Sequence, residues 1–188
     1  MITIQEVKPI VAKYITQEHL LKHCLAVQAA MEEAARYFGE NPEYWGAIGY
    51  LHDIDFERFP EEHCQHVEEL LRPEGVAEED IRAVISHGYG LVSDVEPQST
   101  MEKMLFTVDE LTGIIVATAL MRPTGITDLT VKSVNKKFKD KRFAAKCNRD
   151  VIRQGCEMLA MDLSEVMNIC IHGMQQYAQP LGLMGSGS

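Results

Sequence analysis

Two aspartates in apolar segments are the residues of this sequence best suited to chemistry. Asp53 follows His52 at the end of the segment EYWGAIGYLHD, and Asp109 lies inside MLFTVDELTGIIVATAL. A buried carboxylate is costly unless it meets a cation, a metal ion or several hydrogen-bond donors. The only basic residue at helical spacing from Asp109 is Lys103. A lysine or arginine partner for Asp109, the alternative to a metal, would otherwise have to come from a distant part of the chain.

His23 and His52 are the histidines to consider with these carboxylates. His23 comes one helical turn after His19 and has the apolar neighbours Cys24 and Val27. A single buried histidine is more often a core residue whose hydrogen bonds are satisfied. For His52 the adjacent Asp53 argues against that interpretation, because both ionisable side chains lie on the same apolar segment.

Helical periodicity dominates the rest of the chain. Asn41-Pro42 is a typical helix start, and Gly46 and Gly49 indicate close packing of the following helix against a neighbour. No alternation typical of β-strands and no repeat is present. We therefore predict an all-α fold, a multi-helix array rather than a simple four-helix bundle. The predicted helices lie near residues 4–16, 19–38, 43–53, 62–72, 77–87, 100–121, 131–137, 140–146, 148–160 and 163–179.

The ordered set His23, His52-Asp53 and Asp109 resembles the H…HD…D signature of the HD superfamily of metal-dependent phosphohydrolases. Each element falls on a segment predicted to be helical, and the resemblance covers about residues 15–120. It implies a divalent ion bound by two imidazoles and two carboxylates, with Asp53 as the catalytic residue that both binds and orients. Mixed nitrogen and oxygen ligation suits Mn, Fe, Co, Ni or Zn better than Ca.

Two further histidines extend the resemblance to the HD proteins that bind two metals. His63, which we predict to begin the helix HCQHVEELL, and His87, at the end of IRAVISH, complete the order H…HD…H…H…D. In that arrangement His63 and His87 would hold a second ion and Asp53 would bridge both. His66, one turn later, competes with His63. The alternative for both residues is that histidines at helix ends cap the helix or face water.

The chain also departs from named HD subfamilies. Ile54-Asp55 follows the HD pair where Ile-Gly is usual, no GYP signature follows, and a lysine just after the pair is absent. These departures argue against a cyclic-dinucleotide phosphodiesterase. Asp55, Glu57 and Arg58 are candidates for contacts to the ligands or the substrate, with plain loop residues as the alternative. We favour a phosphomonoesterase or phosphodiesterase, with a mixed-valent di-iron oxygenase of the myo-inositol oxygenase type second and a non-catalytic ligand-sensing module third.

A basic segment stands out in a chain whose net charge is -10. Lys136, Lys137 and Lys139 are the candidates for binding a small anionic phosphorylated substrate, since local positive charge attracts phosphate. A solvated helical face is the alternative. Nucleic acid is disfavoured, because the rest of the chain is acidic and no nucleic-acid motif is present. The basic residues between 132 and 149 are Lys132, Lys136, Lys137, Lys139, Lys141, Arg142, Lys146 and Arg149.

Length and composition predict one domain over residues 1–180, with a metal-site core at about 15–120 and a helical extension at about 125–180. The amino-terminal residues lack a signal-peptide pattern, and the longest apolar stretch is too short to span a membrane. The five cysteines form no CxxC pair. We therefore expect a cytoplasmic protein with reduced thiols that mostly fill the core. Residues 185–188, Gly-Ser-Gly-Ser, resemble an artificial linker, and no pattern predicts an oligomeric state.

Overall fold

The computed structural model describes residues 1–186 and has an all-α fold, as predicted. Gly187 and Ser188, the end of the predicted linker, lie outside the described residues. Within residues 1–186, no helix is both long enough and apolar enough to cross a membrane. The helices are α1 (Ile4–Tyr14), α2 (Glu18–Phe38), α3 (Pro42–Leu51), α4 (Val67–Leu71), α5 (Glu78–Ser86), α6 (Thr100–Leu120), α7 (Val131–Lys139), α8 (Arg149–Leu159) and α9 (Leu163–Gln175).

Side-chain caps define where several helices begin. Thr3 and Ser99 each accept a hydrogen bond from the third residue of the following helix, whose glutamate side chain accepts from the cap backbone in return. Asn41, Thr130 and Asn148 cap α3, α7 and α8 in the simpler way, through side-chain oxygens that accept backbone N–H groups. Such caps satisfy donors that have no partner within the helix. The helix starts predicted at Asn41-Pro42 and near residue 100 are confirmed.

Helices α2 and α6 form the centre of the array. Helix α2 packs against α3, α6 and α9, and α6 packs against α8. A Cβ atom added to Gly49 would lie 3.0 Å from the carbonyl oxygen of Val27, and one added to Gly46 would lie 2.7 Å from the Cγ of Glu32. The expected close approach of α3 to a neighbouring helix is therefore confirmed, and α2 is that neighbour.

The helix predicted over residues 62–72 is wrong in its first half. Helix α4 begins only at Val67, and His63 lies in a turn that follows a short 3₁₀ segment, Pro60–Glu62. Cys64 has a left-handed backbone with φ of 71°, which a continuous right-handed helix cannot contain. His63 therefore does not begin a helix, and the backbone N–H of His66 donates to the Asp55 carboxylate at 3.2 Å.

The helix predicted over residues 140–146 is also wrong, because this segment is a series of turns around Arg149. The Arg149 side chain is buried and donates to backbone carbonyls on both sides of the segment. A guanidinium carries five N–H donors in a planar fork, so it can bind several carbonyls that a helix would otherwise pair internally. The accepting carbonyls belong to Lys137, Phe138, Asp140, Phe143, Ala144 and Cys147.

Candidate metal centre

The first group of ligand atoms comes from residues on or directly after three helices, α2, α3 and α6. His23 on α2 places Nε2 2.9 Å from Oδ1 of Asp109 on α6. His52, directly after α3, places Nε2 3.1 Å from the same oxygen and 3.2 Å from Nε2 of His23. The Asp53 carboxylate lies 3.2 Å from His52 Nε2 and 3.4 Å from His23 Nε2. These four side chains offer atoms that all lie within 4.8 Å of one another.

A second group adjoins the first through Asp53. Nε2 of His63 lies 3.2 Å from Oδ1 of Asp53, and Nε2 of His87 lies 3.5 Å from the same oxygen. The two imidazole nitrogens are 3.0 Å apart. His87 directly follows α5, whereas His63 comes from the turn before α4, so the two residues converge from different parts of the chain.

Hydrogen bonds at Nδ1 orient three of the four imidazoles. Nδ1 of His52 donates to the carbonyl oxygen of Gly49 at 2.7 Å, and Nδ1 of His87 donates to that of Val84. Nδ1 of His63 donates to Oδ1 of Asp55 at 2.7 Å. Carbonyl and carboxylate oxygens can only accept, so each proton sits on Nδ1 and the Nε2 lone pair points into the centre.

The electrostatics of the centre couple buried carboxylates to buried imidazoles. Burial would raise the pKa of Asp53, but the charge of His52 and hydrogen bonds from the surrounding histidines hold it well below its usual range. Burial likewise opposes protonation of His52, but Asp53 and Asp109 outweigh it and raise the pKa of His52 to about 9. For His63, contacts with Asp53 and Asp55 overcome burial and raise the pKa to about 12. The buried carboxylates therefore favour positive charge at these imidazoles.

The donor set fits divalent transition metals. His23, His52, Asp53 and Asp109 supply two imidazole nitrogens and two carboxylates, which matches the chemistry expected from the resemblance. Convergence of several Nε2 lone pairs within about 3 Å is repulsive unless protons or cations lie between them. Asp53 faces the histidines of both groups, so it could be a ligand of an ion in each.

Cys64 lies beside the second group. Its Sγ atom is 3.9 Å from Nε2 and 4.0 Å from Nδ1 of His87, and the side chain is buried. Burial would raise the pKa of the thiol, but the charge of His87 and hydrogen bonds with His63 and His87 outweigh it and lower the pKa to about 7. All five cysteines are free, as expected, and Cys64 is the one that forms a ligand cluster with His63 and His87 within the described residues.

Three other candidates lie away from the centre. His66 is held between the carboxylates of Glu62, at 2.8 Å, and Glu69, at 3.1 Å, and its ring stacks on Phe59. Glu57 accepts hydrogen bonds from the backbone and hydroxyl of Thr16 and from the backbone of Gln17. Arg58 donates to the carbonyl oxygen of Lys13. Of the two competing histidines, His63 therefore faces the other ligands, and Glu57 and Arg58 hold the junction between α1 and α2.

The basic segment approaches the centre through its carboxyl-terminal end. The backbone N–H of Asn148 donates at 2.9 Å to Glu110, the residue after Asp109. A Cβ atom added to Gly113 on α6 would lie 2.7 Å from Sγ of Cys147. Lys136 and Lys139 are exposed on α7, and Lys137 places its ammonium 4.7 Å from the centre of the Phe143 ring. None of the ion pairs of the described residues joins these lysines to the six candidate ligands.

Comparison with known families agrees with this arrangement of helices and ligands. The family model of the HD domain matches residues 20–114, just over half of the chain. The protein therefore belongs to the HD-domain family, most of whose members are metal-dependent hydrolases. We found no match to the chain among curated proteins or among solved structures.

The sequence did not decide whether Asp55 contacts the metal ligands or is a plain loop residue. Asp55 is fully buried, and its carboxylate accepts both the Nδ1–H of His63 and the backbone N–H of His66. The two-residue spacing from Asp53 gave no sign of this role, because the chain turns directly after α3. One carboxylate thus fixes both the ring of His63 and the turn that carries it.

We expect Asp55→Asn to weaken binding at the second group by roughly 10- to 100-fold, the usual effect of removing a partner that orients a ligand. The amide keeps the volume of the carboxylate but has only one acceptor atom for the two N–H donors of His63 and His66. Isothermal titration with Co²⁺ measures the change. Binding at His23 and Asp109 should be unaffected, and equal weakening of both sites would contradict the proposed role.

Proposed function

We propose that the protein is a metal-dependent phosphohydrolase that cleaves a phosphomonoester or phosphodiester bond in a small phosphorylated compound or nucleotide. The observation that carries this proposal is the meeting of two histidine groups on the single carboxylate of Asp53. His23 and His52 lie 3.4 and 3.2 Å from it, and His63 and His87 lie 3.2 and 3.5 Å from it. A paired site of this kind suits the two oxygens of a phosphoryl displacement.

In this proposal His23, His52, Asp53 and Asp109 would hold one ion, and Asp53, His63 and His87 would hold the second. When bound, such ions lower the pKa of water to about 7 and polarise phosphoryl oxygens. Asp53 would be a ligand of both ions. The carbonyl oxygens of Gly49 and Val84 and the carboxylate of Asp55 keep the imidazole rings in the binding tautomer.

The basic segment is the proposed source of attraction for an anionic substrate. Its end contacts α6 next to Asp109, through the hydrogen bond from Asn148 to Glu110. The guanidinium of Arg149 donates hydrogen bonds to backbone carbonyls, so Arg149 does not offer a free side chain to a substrate at this surface. The remaining lysines of the segment provide positive charge on a protein that is acidic elsewhere, and such a patch raises the local concentration of an anion.

We expect replacement of Lys136, Lys137 and Lys139 by glutamine to lower kcat/KM for a phosphorylated substrate by roughly tenfold at low salt. The bound metal should be unchanged, because no ion pair of the described residues joins these lysines to the six candidate ligands. The difference from the wild type should shrink in 1 M salt, where the Debye length is about 3 Å. Steady-state kinetics over a salt series, with metal analysis of each variant, measures both effects.

A control variant removes the same charge elsewhere on the surface. Lys8, Lys13 and Arg72 are exposed, and the last two pair with glutamates rather than with the basic segment. Replacing these three by glutamine should change kcat/KM much less. Equal losses in the two triple variants would mean that net charge matters and that the basic segment has no special role.

The proposed activity is tested on protein purified without chelator. Metal content is measured by elemental analysis, and release of phosphate or of a phosphorylated product is assayed with a panel of sugar phosphates, nucleotides and dinucleotides. Bound metal with hydrolysis that is lost in His52→Ala supports the proposal. Two irons per chain, oxygen consumption and no hydrolysis would replace it with a di-iron oxygenase. Tight binding of a panel compound without turnover would identify a sensing module.

A further inference from the structure

Cys64 has a position that differs from those of the other buried cysteines. Cys24, Cys156 and Cys170 lie inside the helices α2, α8 and α9, where small apolar side chains are ordinary core residues. Cys64 instead lies in the turn that carries His63, and its sulfur is 3.9 Å from the Nε2 atom of His87. Its thiol therefore faces imidazoles and not only apolar groups.

The backbone around Cys64 places the thiol at that position. Cys64 adopts a left-handed conformation with φ of 71°, which is uncommon for a residue other than glycine. Gly88, directly after His87, leaves the space that the thiol occupies, since a Cβ atom there would lie 2.8 Å from Sγ of Cys64. The backbone of Cys64 and the missing side chain of Gly88, which Val92 also approaches, together allow the contact of Cys64 with the second group.

The atoms of this cluster lie close enough together to surround one metal ion. One nitrogen from each of His63 and His87 and the sulfur of Cys64 all lie within 4.8 Å of one another. With metal–sulfur and metal–nitrogen bonds of about 2.3 and 2.0–2.1 Å, ligand atoms of a tetrahedral site lie about 3.3–3.6 Å apart. The observed distance of 3.0 Å between the imidazoles is a few tenths of an ångström shorter than that range, and the 3.9 Å from sulfur to nitrogen is a few tenths longer.

We infer that Cys64 is a direct ligand of the second ion, completing a set with His63, His87 and the Asp53 carboxylate. This inference rests on the two-ion centre of the proposed function and adds a ligand to it. On binding, the thiol releases its proton to solvent and the sulfur lone pair bonds to the ion. The first group has no sulfur within the described residues, so the two halves of the centre differ in chemistry.

A thiolate ligand gives the second group a metal preference of its own. Sulfur favours zinc, iron and cobalt, whereas magnesium and manganese prefer oxygen ligands. The second group should therefore bind Co²⁺ or Zn²⁺ well and Mn²⁺ poorly. The first group, with two nitrogens and two carboxylates, should discriminate less among these ions.

Cobalt is the probe that tests the inference, because a thiolate bound to Co²⁺ adds a charge-transfer absorption in the near ultraviolet. We expect this band when the second equivalent of Co²⁺ is titrated into the wild-type protein. Cys64→Ser should lose the band and bind the second cobalt at least about tenfold more weakly. Loss of a residue that only orients a ligand already lowers metal affinity by about 10- to 100-fold. The first equivalent should bind as before.

Cys156→Ser is the matched control, because Cys156 is buried to a similar extent, 7% exposed against 5% for Cys64. This variant should keep the band, and circular dichroism checks that both variants are folded. Two bound cobalt ions without a charge-transfer band, or a band that survives in Cys64→Ser, would overturn the inference and leave the proposed centre standing. A protein that binds no cobalt at all would overturn both.

Discussion

Asp53→Ala should remove both metal ions and lower kcat/KM for a phosphorylated substrate by at least about a thousandfold. The carboxylate lies within 3.5 Å of imidazole nitrogens of both groups, so it would be a ligand of both ions. Loss of several kcal/mol of charge stabilisation in the transition state corresponds to a rate loss of this size. Elemental analysis of the purified variant and steady-state kinetics measure the two effects.

Variants of the second group separate the bridging role of Asp53 from simple ligation. His63→Ala and His87→Ala should each lose about one ion and keep the ion held by His23 and Asp109. Asp150→Ala, which removes an exposed carboxylate from α8, should keep both. If Asp53→Ala retains one ion with normal affinity, Asp53 does not bridge. If His52→Ala retains its full metal content, the assignment of the whole centre is wrong.

Arg149→Ala should lower the free energy of unfolding by about 3–5 kcal/mol, a loss typical of breaking a buried charged network. The guanidinium donates to six backbone carbonyls between residues 137 and 147. Hydrogen bonds to a charged group each contribute about 1.5–3 kcal/mol, and carbonyls left without a donor add a desolvation cost. Urea denaturation measures the stability, and amide hydrogen exchange should accelerate across residues 137–147.

Arg153 provides the matched control for this prediction. It lies one turn later on α8, and both guanidinium groups approach the Phe138 ring, at 5.8 Å for Arg149 and 5.0 Å for Arg153. The Arg153 side chain is 54% exposed and forms an ion pair with Asp150 on its own helix, so Arg153→Ala should cost less than about 1 kcal/mol. Similar losses in the two variants would show that contact with the ring, and not carbonyl binding, is what Arg149 contributes.

The sequence by itself determined the class of fold and the order of the six converging residues. Periodic apolar positions predicted α2, α3, α5 and α6 closely, because the side chains that define the period are the ones buried against neighbouring helices. The ligand order could be recognised because each of His23, Asp53 and Asp109 lies on or at the end of such a helix. At those positions the apolar periodicity of the sequence and the packing of the helices indicate the same structure.

Only the tertiary structure decided the turns around His63 and Arg149. A helix over residues 62–72 has the right apolar spacing, but Cys64 and the buried carboxylate of Asp55 impose a turn there. The sequence pattern also predicts a helix over residues 140–146. The structure has turns there, because backbone carbonyls of this segment accept hydrogen bonds from the Arg149 side chain. In both places the deciding partner is a buried charged side chain outside the segment, and apolar periodicity carries no information about such a hydrogen bond.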